Sequence, residues 1–222
     1  MIRLHNAIDP AQVCAVILAG GRGTRMGGVD KGLQPFHGSP LARHAIDRLR
    51  SQNAGSPAYI AINANRNQDV YSAWGIPVWT DALDDYAGPL AGFLTALEKC
   101  RELSLPIAYV LTVPCDSPLF PLNLLERMAK GLVDGNAQVA IAAAPETDQH
   151  GCALLQKQPV FCLMHIGVLE NLRQFTASGG RKIDAWTTQL GAVEVAFDQP
   201  GDAPLAFANA NTLEQLRALE RP

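Results

Sequence analysis

Val13–Gly32 reads VCAVILAGGRGTRMGGVDKG, and the interpretation of the whole chain turns on this stretch. Its first part, Val13–Leu18, is short, apolar and rich in β-branched residues, the pattern of a strand buried on both faces. The fifteen residues Leu18–Gly32 hold six glycines, with Arg22, Arg25 and Lys31 set among them. Glycine allows tight turns and close main-chain approach, so several N–H groups can face one concavity. Arg and Lys add the charge that phosphate oxygens attract. A plain surface connection would not need that density of glycine and cations straight after a buried strand. Two familiar phosphate loops do not fit. GxxxxGK[ST] fails because Asp30 precedes Lys31, and GxGxxG fails because Met26 stands where its last glycine belongs.

Outward from this loop, apolar runs alternate with segments of helical period. Tyr59–Ile62, Val78–Thr80 and Ile107–Val113 read as strands, Val139–Ala143 and Cys152–Leu155 as weaker ones, and Val193–Phe197 as extended. Helices are expected from Pro40, with Ser39 as N-cap, and from Pro89, with Leu90, Phe93, Leu94 and Leu97 on one face. Others are expected from Pro121, over Val160–Phe175, over Lys182–Leu190, and over Thr212–Leu219 capped by Asn211 or Thr212. Strands alternating with helices predict a three-layer α/β fold: a mostly parallel, twisted sheet with helices on both faces. Ligands of such sheets collect beyond the carboxyl ends of the strands, where the strand order reverses. Asp81 and Asp116, each just past a strand, become candidates on that rule.

Composition narrows the partners. The 222 residues are 48% hydrophobic and 18% charged, with a formal net charge of −3. That balance offers no broad cationic surface for nucleic acid or an anionic membrane, so phosphate binding must be local. The five cysteines, Cys14, Cys100, Cys115, Cys152 and Cys162, form no CxxC pair and fit free thiols in a reducing compartment. No segment has the basic start and long apolar stretch of a secretory signal, and none approaches the roughly 18 apolar residues of a membrane span. A cytoplasmic location is expected.

The run LAGGRGTRMGGVDKG resembles nucleotidyltransferases whose first strand ends in LAGG or LAAG, followed by Arg-Met-Gly and a lysine. Within them, the continuation at Gly27–Gly32 is similar to the molybdenum cofactor guanylyltransferases, the MobA family. The likeness continues in order along almost the whole chain, through Asn63-Ala64-Asn65-Arg66, Asp81, Gly88-Pro89-Leu90-Ala91-Gly92, Pro114-Cys115-Asp116-Ser117-Pro118 and Asn209-Ala210-Asn211-Thr212. It departs at Leu213, where proline is usual, at Gly151-Cys152 after His150, where Pro-Thr is usual, and at Gly179–Lys182, which matches only loosely.

The resemblance implies one nucleotidyltransferase domain of nucleotide-diphospho-sugar transferase-like, Rossmann-like fold over residues 1–222. Residues 13–120 would bind GTP and Mg²⁺, and 121–222 would largely bind the acceptor. It implies transfer of GMP from GTP to the phosphate of molybdopterin, with pyrophosphate released. Lys31 and Arg25 would carry the phosphate charge, and Asp116 would hold the magnesium. The main chain of Leu18, Ala19, Gly20 and Gly21 would select guanine together with Asn63 and Asp81. His150, Arg181, Lys182, Asn209 and Asn211 are acceptor-side candidates. From the residues alone, Asn63 and Asp81 read equally as turn formers, Asn209 and Asn211 as an Asx turn and a helix cap, and His150 as a loop histidine. Cys115 reads as packing rather than as a nucleophile. A phosphate nucleophile is already anionic, which agrees with the lack of a recognisable general-base constellation. Cofactor-handling proteins or recipient molybdoenzymes are the partners the resemblance implies. Rival readings are a sugar-nucleotide pyrophosphorylase, a molybdopterin cytidylyltransferase and a GTP-binding module without catalysis.

Overall fold

The computed structural model describes residues 7–20, 29–81, 88–147 and 153–220. Strand β1 (Val13–Leu18) is followed by a small antiparallel hairpin, β2 (Pro35–Phe36) with β3 (Ser39–Pro40), and by helix α1 (Leu41–Arg50). Then come β4 (Tyr59–Asn63), α2 (Gln68–Ser72), β5 (Val78–Trp79), α3 (Pro89–Glu102) and β6 (Tyr109–Pro114). The second half contains α4 (Leu124–Asp134), the long strands β7 (Val139–Thr147) and β8 (Ala153–His165), α5 (Leu169–Ala177), α6 (Ile183–Gln189), β9 (Val193–Ala196) and α7 (Leu213–Leu219).

One seven-stranded sheet runs in the order β5-β4-β1-β6-β8-β7-β9. Its ladders are parallel except those of β8, which is antiparallel to both neighbours. Alternation along β1 shows how the layers are held. Val13, Ala15 and Ile17 pack toward α1 and α4, while Cys14 and Val16 pack toward α3, α5 and α6. A strand covered on both sides has no solvent face, which explains its unbroken apolar run. The helices show their position in their patterns. In α1 the stripe Leu41, Ala42, Ala45, Ile46 and Leu49 is buried, and its other side reaches water. α3 is buried throughout Leu90–Leu97 and starts with Pro89 at a position where a missing N–H is no loss.

The topology fixes where a ligand can sit. From β1 the chain moves through β4 to β5, then returns to lay β6 against the other side of β1. Strand order therefore reverses between β1 and β6, the place where sheets of this kind take up ligands. The glycine loop follows β1, and Asp116 follows β6.

Several expected elements are corrected. Val160–His165 is strand, not helix, and α5 begins only at Leu169. Phe161 and Leu163 face one core layer and Cys162 and Met164 the other, an alternation that a fully apolar run conceals. Ser39 does not cap α1: it pairs with Phe36 in the hairpin, and the helix starts after Pro40 without a side-chain cap. Pro121 precedes α4 by a turn, its carbonyl accepting from the Leu124 N–H at 3.2 Å, rather than opening the helix. Of the weak strand expected at Cys152–Leu155, Ala153–Leu155 form the start of the thirteen-residue β8, and Cys152 lies outside the described residues.

β8 carries an irregularity that shapes the site. Ile141 faces Cys162 while the next residue, Ala142, faces Gln158, so residues 159–161 bulge out of the β7 ladder. Pro159 has no N–H to contribute there, which favours a bulge. The carbonyl of Val160 is taken up by the buried Thr112 hydroxyl at 2.7 Å. β6 pairs with β8 only as far as Thr112, so its carboxyl end separates from β8 and a cleft opens between them.

Candidate active site

Lys31, Asp116 and Asn211 come together at the reversal of strand order. Lys31 opens a short 3-10 turn, Lys31–Leu33, after the glycine loop. Its Nζ donates to Asp116 Oδ2 at 3.0 Å and to Asn211 Oδ1 at 2.6 Å, across separations of 85 and 180 residues. The two charged side chains are 22% and 16% exposed, so the pair is shielded yet reachable from solvent. Asp116 sits in the turn that ends β6. Asn211 is delivered by the C-terminal segment, which is tied to the same turn: the Ala210 N–H donates to the Asp116 carbonyl at 2.8 Å. The Ser117 hydroxyl donates to Asn209 Oδ1. Thr212, not Asn211, caps α7, in a capping box with Gln215, and this frees the Asn211 side chain for Lys31. Ala210 and Leu216 pack with Phe36 and Leu41 to seat the helix.

A second cluster lies at the ends of β4 and β5. Asp81 Oδ1 accepts from Asn63 Nδ2 at 2.9 Å and from the Thr95 hydroxyl at 3.5 Å, and its Oδ2 accepts from Asn65 Nδ2 at 2.8 Å. The Asp81 N–H donates back to Asn65 Oδ1 at 2.9 Å. Asn63 is 2% exposed and also donates to the Trp79 carbonyl, so its orientation is fixed. α3 approaches this cluster closely. A Cβ on Gly92 would lie 2.7 Å from Asn63 Oδ1 and 3.0 Å from Leu18 Cδ2, so glycine is the side chain that allows the contact. Main-chain groups of Leu18 and Ala19 are partly committed: the Ala19 N–H donates to the Asn63 carbonyl at 2.8 Å, and the Leu18 carbonyl accepts from Cys115 N–H at 3.1 Å.

Beside Asp116, Pro114, Gln158–Phe161, Asn209 and Asn211 line a cleft of about 190 Å³. Gln158 is 6% exposed, and its amide donates to Glu146 Oε1 at 2.7 Å. Asp116 with the amides of Asn209 and Asn211 forms an oxygen-rich rim with a single carboxylate. That set suits a hard cation bound mainly through substrate phosphates, not an all-protein cage. Consistently, no cluster of three or more acidic, His or Cys ligands is present among the described residues. Cys115, next to Asp116, is buried, and burial first and the neighbouring carboxylates second push its thiol well up, so it packs and does not ionise.

The sequence-predicted residues therefore fall into groups. Leu18, Ala19, Gly20, Asn63, Asp81 and Asp116 stand at the ends of β1, β4, β5 and β6, Lys31 reaches Asp116 from its 3-10 turn, and Asn209 and Asn211 join from the C-terminal segment. Gly21, Arg25 and His150 lie outside the described residues. Arg181 donates to the carbonyls of Thr176 and Gly180 after α5, and Lys182 precedes α6; neither lines the cleft. Sequence reasoning missed Thr95, Ser117 and Gln158. A proline at the head of an apolar run, Pro159 before Val160–Met164, was the available signal for the last.

Residues 15–220 match the family model described as MobA-like NTP transferase domain. The chain is 55% identical to a molybdenum cofactor guanylyltransferase of Acidovorax ebreus over 96% of this chain and 97% of that one. It is 47% identical to one of Ralstonia nicotianae, over 96% and 98%. Among solved structures it is similar to molybdopterin-guanine dinucleotide biosynthesis protein A of Archaeoglobus fulgidus, with TM-score 0.69, 18% identity and coverage of 93% and 96%. It also shares its fold with CMP:2-keto-3-deoxy-manno-octonic acid synthetase complexed with CTP, at TM-score 0.66, 15% identity and coverage of 94% and 98%. The chain belongs to the MobA-like NTP transferase family and, within it, to the molybdenum cofactor guanylyltransferases.

Proposed function

We propose that this chain transfers GMP from GTP to the terminal phosphate of molybdopterin, releasing pyrophosphate and forming the guanine dinucleotide form of the cofactor. The observation that carries the reading is the meeting of Lys31 and Asp116 at the strand-order reversal, with a cleft of about 190 Å³ opening beside them. It is supported by full-length relatives of that name. The chain works as one nucleotidyltransferase domain, residues 13–120 serving the nucleotide and 121–222 largely the acceptor.

The acceptor phosphate attacks the α-phosphorus of GTP in line, the P–O bond to the β-phosphate breaks, and the electron pair leaves with pyrophosphate. The nucleophile is already an anion, so positioning and charge stabilisation supply the rate. Lys31 stabilises negative charge on the phosphates, assisted by Arg25. Asn63 and Asp81 read guanine: the oxygens of the fixed amide and carboxylate have lone pairs left to accept from the N–H groups of its edge, and a base without those groups forfeits the hydrogen bonds. Asn209 and Asn211 orient the acceptor. Magnesium, held by Asp116 and the phosphate oxygens, would neutralise charge on the triphosphate. A cytoplasmic setting belongs to the same reading, supported by four buried free cysteines among the described residues and by the absence there of any helix long and apolar enough to cross a membrane. Recipient molybdoenzymes and proteins that hand over the cofactor are the partners it implies.

The test is pyrophosphate release with magnesium and molybdopterin, comparing GTP, CTP, ATP and UTP. Release confined to GTP and dependent on molybdopterin is expected. Preference for CTP would overturn the guanine assignment, and release only with a sugar phosphate as acceptor would overturn the acceptor assignment.

A further inference from the structure

Asp30, immediately before Lys31, is only 7% exposed. Its Oδ1 accepts from the Gly32 N–H at 3.0 Å and from the Tyr71 hydroxyl at 2.7 Å, and its Oδ2 accepts from Asn67 Nδ2 at 2.9 Å. All three partners are donors. Capping a turn needs no charge, since Asn and Ser cap as well as Asp. Removing a carboxylate from water is costly unless each oxygen is satisfied. An ionised, acceptor-only group is what this particular set of donors requires, because an amide would turn its NH₂ toward one of them.

The donors do not belong to the Lys31 turn alone. Tyr71 is fully buried on α2 and packs edge-on against Trp74, with ring centroids 5.2 Å apart. Burial first, then its bond to Asp30, push the Tyr71 hydroxyl pKa up, so it stays a donor. Asn67 precedes α2 in the left-handed region at φ 51°, and its own carbonyl accepts from the N–H groups of Val70 and Tyr71. The turn meets α2 so closely that a Cβ on Gly32 would lie 2.4 Å from the Tyr71 hydroxyl. α2 in turn follows β4, the strand that ends in Asn63.

We propose that Asp30 is a positioning residue: its carboxylate clamps the Lys31 turn to α2 through Tyr71 and Asn67, and so sets where the Lys31 ammonium meets the nucleotide phosphates and Asp116. This deepens the function proposed above and rests on its placing of Lys31 at the phosphates.

A double-mutant cycle on GTP affinity, measured by calorimetry without acceptor, tests it. Asp30→Asn is expected to weaken GTP binding about tenfold with Lys31 present, but less than about twofold in a Lys31→Ala background, because its effect passes through that side chain. Tyr71→Phe, which removes one of the three donors, is expected to cost about threefold and to show the same dependence on Lys31. Equal losses in both backgrounds would mean a general structural role and overturn the proposal, as would no loss with Lys31 present. If Asp30→Asn does not fold, the cycle with Tyr71→Phe decides. Pyrophosphate release, measured on the same proteins with molybdopterin, separates the two readings. A coupled cycle without release overturns the acceptor assignment and leaves Asp30 in place, while an additive cycle with normal release does the reverse. Failure of the unmodified chain to bind GTP overturns both.

Discussion

The two halves of the sheet deliver their functional groups by different means. In the first, β1, β4, β5 and β6 run parallel, and the predicted residues lie within a few positions of their carboxyl ends. One topological rule brings Gly20, Asn63, Asp81 and Asp116 to the same edge. In the second, β8 runs antiparallel and bulges at Pro159, and Asn209 and Asn211 arrive on a segment outside the sheet. No rule of strand direction places that segment. Individual contacts hold it: Ser117 to Asn209, Ala210 to Asp116, and Arg127 to Asp202. The geometry at the strand ends should therefore follow from the sheet itself, whereas that of the C-terminal segment should depend on a few pins.

Four experiments would break or sharpen this contrast. Replacing Lys31 or Asp116 by Ala should lower turnover by about 10²–10³-fold, the scale for removing a preorganised charge from a reacting phosphate. Both variants should still fold, with thermal unfolding lowered no further than by Arg127→Ala, since Lys31 and Asp116 are shielded to a similar degree. A loss of turnover accounted for by unfolding would show that the pair is structural. Asn211→Ala should cost about ten- to thirtyfold in turnover, as expected for one charge-assisted hydrogen bond to Lys31. Unchanged kinetics in this variant would separate the C-terminal segment from the chemistry.

Arg127 tests the pins themselves. Its guanidinium donates to both carboxylate oxygens of Asp202 at 2.7 and 2.8 Å and to the Ala196 carbonyl, and it lies 4.1 Å over the Phe197 ring. With the pair 14% and 15% exposed, removing Arg127 leaves a shielded carboxylate uncompensated. Arg127→Ala should lower stability by about 2–4 kcal/mol, which thermal unfolding would read as a fall of roughly 5–10 °C. A drop within experimental error would show that the segment is held by other contacts.

The smallest effect concerns His165, at the end of β8 away from the site. Burial lowers its pKa from 6.5, and its Nδ1 accepts from the Gly167 N–H at 3.1 Å, a bond that needs the neutral ring. The folded pKa lies below the unfolded one, so both states are neutral above it and no penalty acts. As pH falls through about 6.5 toward the lowered folded value, the unfolded chain takes up the proton first and stability is lost. His165→Asn keeps an acceptor without titrating. The unmodified chain should lose stability relative to this variant between about pH 7.5 and 5, and parallel profiles for the two would contradict the assignment.

Much of the proposed nucleotide side could be read as a candidate because its signals are local. Six glycines, a lysine and a buried strand occur within one stretch, and Asp116 follows an apolar run that ends in Pro114. The acceptor side was less so. Val160–Met164 read as helix because a run apolar on every residue has no visible period, and only the burial of Phe161–Met164 on both faces showed the strand. Asn211 read as a helix cap because an Asn before Thr and a helical segment has that local use, while its partner lies 180 residues away.

By itself, the sequence determined the layered α/β fold and the two carboxylates beyond strand ends, because strand burial is written in adjacent residues. Only the tertiary structure decided that Lys31, Asp116 and Asn211 share one point, that β8 turns against its neighbours and opens a cleft, and that Asp30 is bolted to α2. Each of those depends on hydrogen bonds between residues far apart in the chain, whose pairing no local pattern records.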